Sequence, residues 1–204
     1  MHARFATIDG ATLRYAESSP GTEPLILLTS PWPESVYAFA PIWPLLAPRF
    51  RLVAVDLPGF GGSARRADLL SPEAMGRFLT RLIESWDLRR PHLVGPDVGT
   101  AAALFAAALR PDLVSSLIVG SGGAADNPAD LPKLAERLAG IETPVQIIAG
   151  GRDRVVPLVN AEFLAERLPH SALTMVDAGH FVWEEAPGEY ASIVTHWVDA
   201  HVGE

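Results

Sequence analysis

Two kinds of apolar pattern run along the chain. Near its start apolar and polar positions alternate through residues 5–8 and again through 12–15, with Asp9-Gly10 between them, which predicts an antiparallel hairpin closed by a tight turn. After the turn residues Ser18-Ser19-Pro20-Gly21 the alternation gives way to short, largely apolar runs at 25–28, 52–55, 92–94, 114–119 and 145–149. Such runs are the mark of parallel strands covered on both faces, and 172–176 supplies an eighth strand. Between them, segments 35–46, 72–86, 98–109, 157–168 and 187–201 space their apolar residues as helices do, several opening on proline or a capping residue. Strands alternating with helices predict the α/β class: a doubly wound, mostly parallel eight-stranded sheet, with residues 1–204 forming one domain. The connection at 121–140 fits one short helix around 131–138.

Composition narrows the setting. No cysteine is present, so there is no thiol nucleophile, thiolate metal site or disulfide, which fits a reducing, cytoplasmic compartment. A net charge of −8, with 16 Lys and Arg against 24 Asp and Glu and no basic run longer than a pair, argues against a nucleic-acid partner. No apolar run is long enough to span a bilayer, and the first residues lack the apolar stretch of a signal peptide, so no membrane partner is expected. A mean hydropathy of +0.20 is high for so acidic a chain and implies a well-buried sheet or an apolar face that needs a cover. No His-Glu-x-x-His pattern or clustered ligand set occurs, so neither metal nor other cofactor is expected.

The chemistry centres on Gly95-Pro96-Asp97-Val98-Gly99, a GxDxG run that follows an apolar strand and opens an Ala-rich helix. It has the form of a nucleophile elbow, in which a tight strand-to-helix turn raises one side chain and the flanking glycines leave room for the turn. The raised group here is a carboxylate. A carboxylate nucleophile suits attack on a saturated electrophilic carbon, giving an alkyl ester, better than acyl transfer, which would give a labile anhydride. Two further residues follow strands later in the chain: Asp153 in Gly150-Gly151-Arg152-Asp153 and His180 in Ala178-Gly179-His180. In such a set the histidine activates water while the second aspartate holds its other ring nitrogen.

The order Asp97, Asp153, His180, each after a strand, resembles the triad of the α/β-hydrolase superfamily, and within it the aspartate-nucleophile branch of haloalkane dehalogenases, fluoroacetate dehalogenases and epoxide hydrolases. Val55-Asp56-Leu57-Pro58-Gly59-Phe60-Gly61-Gly62-Ser63 resembles the loop after that family's fourth strand, and Ser30-Pro31-Trp32-Pro33 occupies the place of its HGxP oxyanion loop. The resemblance implies an oxyanion hole formed by the backbone N–H groups of Trp32 and Val98. It also marks three departures: Ser30 and Pro31 stand where the loop has His and Gly, Val98 stands where many relatives have Trp, and the connection at 121–140 is too short for the helical cap. In this branch the cap supplies ring-opening tyrosines or halide donors. None of Tyr15, Tyr37 and Tyr190 lies in the connection, and Tyr37, just past the oxyanion loop, is the one placed near the site.

The expected activity is hydrolysis of a small electrophilic substrate, an epoxide, an alkyl halide or haloacid, or an activated ester, through a covalent ester on Asp97 that His180-activated water cleaves. The alternative is a catalytically silent or weakly active cap-less scaffold or ligand-binding protein. Tyr37 and Trp183 are the expected pocket residues, and an uncapped, wet site predicts weak catalysis, high KM and an Asp97 carboxyl with no upward pKa shift. Pro31, Trp32, Val36, Phe39, Val155, Val156, Phe181 and Trp183 are expected to form an apolar rim through which the protein could pair as a homodimer.

Overall fold

The computed structural model describes residues 1–18, 23–122 and 131–202, with nothing further said of the side chains of 131 and 132. The expected turn at 18–21 and the glycine-rich join before residue 131 therefore lie largely outside the described residues. Strands β1 (Ala3–Ile8) and β2 (Ala11–Glu17) form the hairpin, and Asp9 and Gly10 both take positive φ, as a two-residue hairpin turn requires. Six more strands follow: β3 (Leu25–Thr29), β4 (Arg51–Val55), β5 (His92–Pro96), β6 (Ser116–Gly120), β7 (Val145–Gly150) and β8 (Ser171–Val176). The sheet order is β1-β2-β4-β3-β5-β6-β7-β8, antiparallel at β1-β2 and β2-β4 and parallel from β4 onward.

The apolar runs are continuous because each strand feeds two cores. Leu25 and Leu27 of β3, Val53 and Val55 of β4, and Leu117 and Val119 of β6 pack into one core. Their neighbours Ile26, Leu28, Leu52, Ala54 and Ile118 pack into the other. The first core is closed by helices α2 (Pro72–Ser85), α3 (Val98–Leu109), α4 (Leu131–Leu138) and α5 (Val159–Arg167). The second is closed by α1 (Trp43–Leu46), α6 (Val182–Glu185) and α7 (Pro187–Ala200).

Two differences from the pattern-based expectation have clear causes. Segment 35–46 is a 3-10 turn at Val36–Phe39 followed by the short α1, because Pro41 and Pro44 cannot donate the N–H bonds that one helix would need. The short α6 lies inside the loop after β8, where four residues are too few to establish a period. Between β6 and β7 only α4 appears among the described residues, so the fold carries little cap.

Candidate active site

The parallel strands present their C-terminal ends on one side of the sheet, and the loops there hold the site. β5 lies between β3 and β6, so the turn leaving it rises from the middle of the sheet. Asp97 occupies that turn with φ 54° and ψ −121°, a conformation few non-glycine residues adopt. The turn holds because its neighbours permit close contact. A Cβ on Gly95 would stand 2.6 Å from the carbonyl oxygen of Gly99, and one on Gly99 would stand 2.2 Å from Thr29 Oγ1. Asp97 N–H donates to the Gly120 carbonyl at 2.8 Å, while Thr100 Oγ1 donates toward the carbonyls of Gly95 and Gly120, tying the elbow to β6.

The carboxylate of Asp97 is 13% exposed, and its two oxygens face different partners. Oδ2 accepts the Trp32 backbone N–H at 2.6 Å, and the Val98 backbone N–H also stabilises the ionised form. Oδ1 lies 3.8 Å from His180 Nε2, beyond hydrogen-bond reach. On the far side of the ring, His180 Nδ1 meets Asp153 Oδ2 at 2.9 Å. Asp153 is pinned in turn, since its Oδ1 accepts the backbone N–H groups of Val155 and Val156 at 2.8 and 2.9 Å. The ring is therefore held with Nδ1 directed at a carboxylate and Nε2 directed toward Asp97.

Burial pushes the Asp97 carboxyl above its ordinary range, against the downward pull of the Trp32 and Val98 N–H groups and His180; Asp153 adds a further push upward. The expectation of an unshifted carboxyl is thus corrected. The loops around the elbow desolvate it even with little cap above them. Trp183 is also corrected as a pocket residue. It is 1% exposed, packs edge-on beside His180 with ring centroids 6.4 Å apart, and donates its indole N–H to Glu34 Oε2 at 3.3 Å. It supports the histidine from the core. Tyr37 is half exposed and lies under the Arg14 guanidinium, 5.6 Å from its carbon to the ring centroid.

Three groups escaped the sequence reading. Asp56, fully buried, accepts Arg14 Nε at 2.5 Å and the N–H groups of Gly62 and Val36 at 2.7 Å, so it joins the loop after β4 to the segment following the oxyanion loop. A Cβ on Gly61 would reach 2.2 Å from Asp56 Oδ2, so the carboxylate leaves no room for a side chain there. Glu185 Oε2 accepts the Gly179 N–H at 2.8 Å and fixes the residue before His180. Glu34, immediately after the oxyanion loop, is pushed up to about 7, first by burial and then by Glu184, with Asp97 adding to the shift. Its sequence signal was its adjacency to Trp32-Pro33.

A family model described as alpha/beta hydrolase fold matches residues 24–141. The chain belongs to this family. Haloalkane dehalogenase of Bradyrhizobium diazoefficiens is 33% identical over 117 residues, 57% of this chain and 38% of the relative. Soluble epoxide hydrolase of Corynebacterium sp. is 30% identical over 114 residues, 56% of this chain and 39% of the relative. The chain thus spans about two-fifths of the length of these curated relatives. Among solved structures, an enol-lactonase from Burkholderia xenovorans superposes with a TM-score of 0.87 at 16% identity, covering 96% of this chain and all of that one. That likeness concerns the fold alone. Among the described residues no helix of this α/β hydrolase is long and apolar enough to cross a membrane.

Proposed function

We propose that this α/β hydrolase cleaves a small electrophilic substrate, an epoxide, alkyl halide, haloacid or activated ester, through a covalent ester on Asp97. The observation that carries the reading is the division of labour between the two Asp97 oxygens, one bound to the Trp32 N–H and the other turned toward His180. A carboxylate needs no base to become a nucleophile, which suits a His180 Nε2 that stands off at 3.8 Å. Attack by Oδ1 forms the alkyl ester and displaces the leaving atom. His180, oriented by Asp153, then takes a proton from water as the water oxygen bonds to Asp97 Cγ. The N–H groups of Trp32 and Val98 stabilise the oxyanion, and collapse expels the alcohol, which receives the histidine's proton. Relatives named as a haloalkane dehalogenase and an epoxide hydrolase favour this reading over a silent scaffold. The lack of cysteine supports a reducing, cytoplasmic setting.

Single turnover in ¹⁸O-water should place label in the Asp97 carboxylate, because hydrolysis returns one solvent oxygen to the nucleophile. Label confined to product would exclude the covalent role. His180→Gln should still alkylate but fail to hydrolyse, so an enzyme-plus-alkyl mass accumulates. Steady-state turnover equal to the parent protein's would remove His180 as the base.

A further inference from the structure

The end of the sheet opposite Asp97 carries a cleft of its own. Where β3, β5 and β6 begin, a hollow of about 400 Å³ is lined by Glu23 and Leu25 from the lead into β3, by Arg89, Arg90 and His92 from the lead into β5, and by Ser115 before β6. That volume lies within the range of small-molecule sites, roughly 300–1,000 Å³. Leu25 and His92 are buried and form its floor, while the two arginines stand exposed at its rim. β5 runs from His92 to Pro96, so the cleft and the elbow occupy opposite ends of one strand.

Positive charge is concentrated here. Arg90 takes φ 42°, a left-handed conformation that glycine or asparagine adopts at less cost, so a cation is kept where another residue would fit the backbone better. Ser115 holds that backbone in place: its hydroxyl donates to the Arg90 carbonyl at 2.7 Å and its N–H to the Pro91 carbonyl at 3.1 Å. Arg89 meets Asp87 only at 3.8 Å, with the two side chains 88 and 85% exposed, a contact too loose to hold the guanidinium. Glu23 is the one acid among the described residues lining the cleft. Below them His92 uses Nδ1 to contact Ser116 Oγ at 2.8 Å, which leaves Nε2 on the opposite edge of the ring. Burial, then His201 and Arg90, push this histidine down to about 4, so it is uncharged at neutral pH and sits in a positive potential.

We propose that this cleft binds a small organic monoanion, a carboxylate or sulfonate on a compact apolar body. Arg89 and Arg90 receive the anionic group through the paired N–H donors that suit guanidinium to two oxygens. With the Ser116 hydroxyl donating to Nδ1, His92 carries its hydrogen on Nε2 and supplies a donor from the floor. Leu25, Pro24 and Val202 cover the apolar body. Glu23 opposes a second negative charge, which selects against polyanions. None of these residues belongs to the Asp97 site, so the proposal is independent of the nucleophile reading.

The test titrates the full chain at neutral pH and fixed ionic strength, by calorimetry and by NMR of backbone amides and histidine ring nitrogens. Benzenesulfonate is the probe, benzenesulfonamide its neutral counterpart, and inorganic phosphate the anion without an apolar body. Benzenesulfonate should bind at least about 10-fold more tightly than either of the others. It should shift the His92 ring nitrogens and the amides of Leu25 and Ser115 while those of Asp97 and His180 stay in place. Arg89→Ala combined with Arg90→Gly removes two exposed side chains and gives position 90 the residue its backbone favours, so the fold persists and affinity should fall by roughly 10-fold or more. Glu23→Gln should tighten binding by roughly 3-fold. Equal affinity for the sulfonamide, unchanged affinity in the double arginine variant, or shifts confined to the Asp97 and His180 loops would overturn the proposal. Weaker binding in Glu23→Gln, or phosphate binding as tightly as the sulfonate, would overturn the choice of a monoanion.

Discussion

Asp97 pairs a positive φ with a carboxyl that burial lifts above its ordinary value, and both oppose folding. The folded chain holds that proton more tightly than the unfolded chain, so the stability tied to it is complete below the unfolded pKa and lost as pH rises through the folded one. Asp97→Asn keeps an acceptor for the Trp32 N–H and tolerates the left-handed backbone, yet carries no charge. It should abolish turnover while raising Tm at pH 8 by roughly 2–4 °C, the scale on which ~1 kcal/mol reads in a chain of this size. The gain should vanish near pH 3; calorimetry at the two pH values checks it. Asp97, Asp153 and His180 were legible because each follows a strand within a short, typed motif. Glu34 was not, because its behaviour depends on Trp183 and Glu184, which approach it only through packing between distant segments.

Among the elements, α3 runs Val98–Leu109 and α4 Leu131–Leu138, the bounds the apolar period predicts, because alanine and leucine at helical spacing leave little choice. The reason α3 is so rich in alanine becomes visible only in its packing. At Gly76 of α2, an added Cβ would stand 2.5 Å from Phe105 Cβ and 3.0 Å from the Ala102 carbonyl oxygen, so the two helices touch almost backbone to backbone. Gly76→Ala gains up to about 1 kcal/mol of helix propensity. Forcing α2 and α3 apart costs about 1–3 kcal/mol. The net expectation is destabilisation, read as a lower urea midpoint at unchanged slope; a higher midpoint would mean that the interface yields freely. β5 offers a second test. His92 at its start is buried, contacts Ser116 Oγ at 2.8 Å and is pushed down to about 4, first by burial and then by His201 and Arg90. The unfolded histidine keeps its ordinary value near 6.5, so unfolding takes up a proton and stability falls as pH drops from 6.5 toward 4. The loss amounts to at most about 3 kcal/mol. His92→Gln should flatten this decline in urea melts at pH 7 and 4.5.

At the scale of the molecule, the doubly wound sheet was legible because five largely apolar strands without alternation can be covered only from both sides. The apolar rim was legible only in part. Pro31, Val36, Phe39 and Trp183 are all buried in the structure, the last three because the 3-10 turn at Val36–Phe39 and the short α6 pack onto the second core. Apolar spacing cannot reveal this, since four-residue turns are too short to establish a period. Among the described residues Trp32 at 58% and Val155 at 65% remain exposed near the triad, joined by Tyr37 and Val159. The proposed two-fold homodimer through this face therefore has less apolar area to bury than the rim list implied. A stable dimer buries roughly 1,200–2,000 Å² in all, and four side chains per subunit fall short of a tight one. Weak association is the expected outcome, with scattering mass rising above 21.8 kDa only toward high micromolar concentration. Val155→Asp together with Val159→Asp would place two charges in each half of the contact and should hold the mass at the monomer value throughout. A parent protein that stays at 21.8 kDa across the series would remove the dimer and leave each site to work alone.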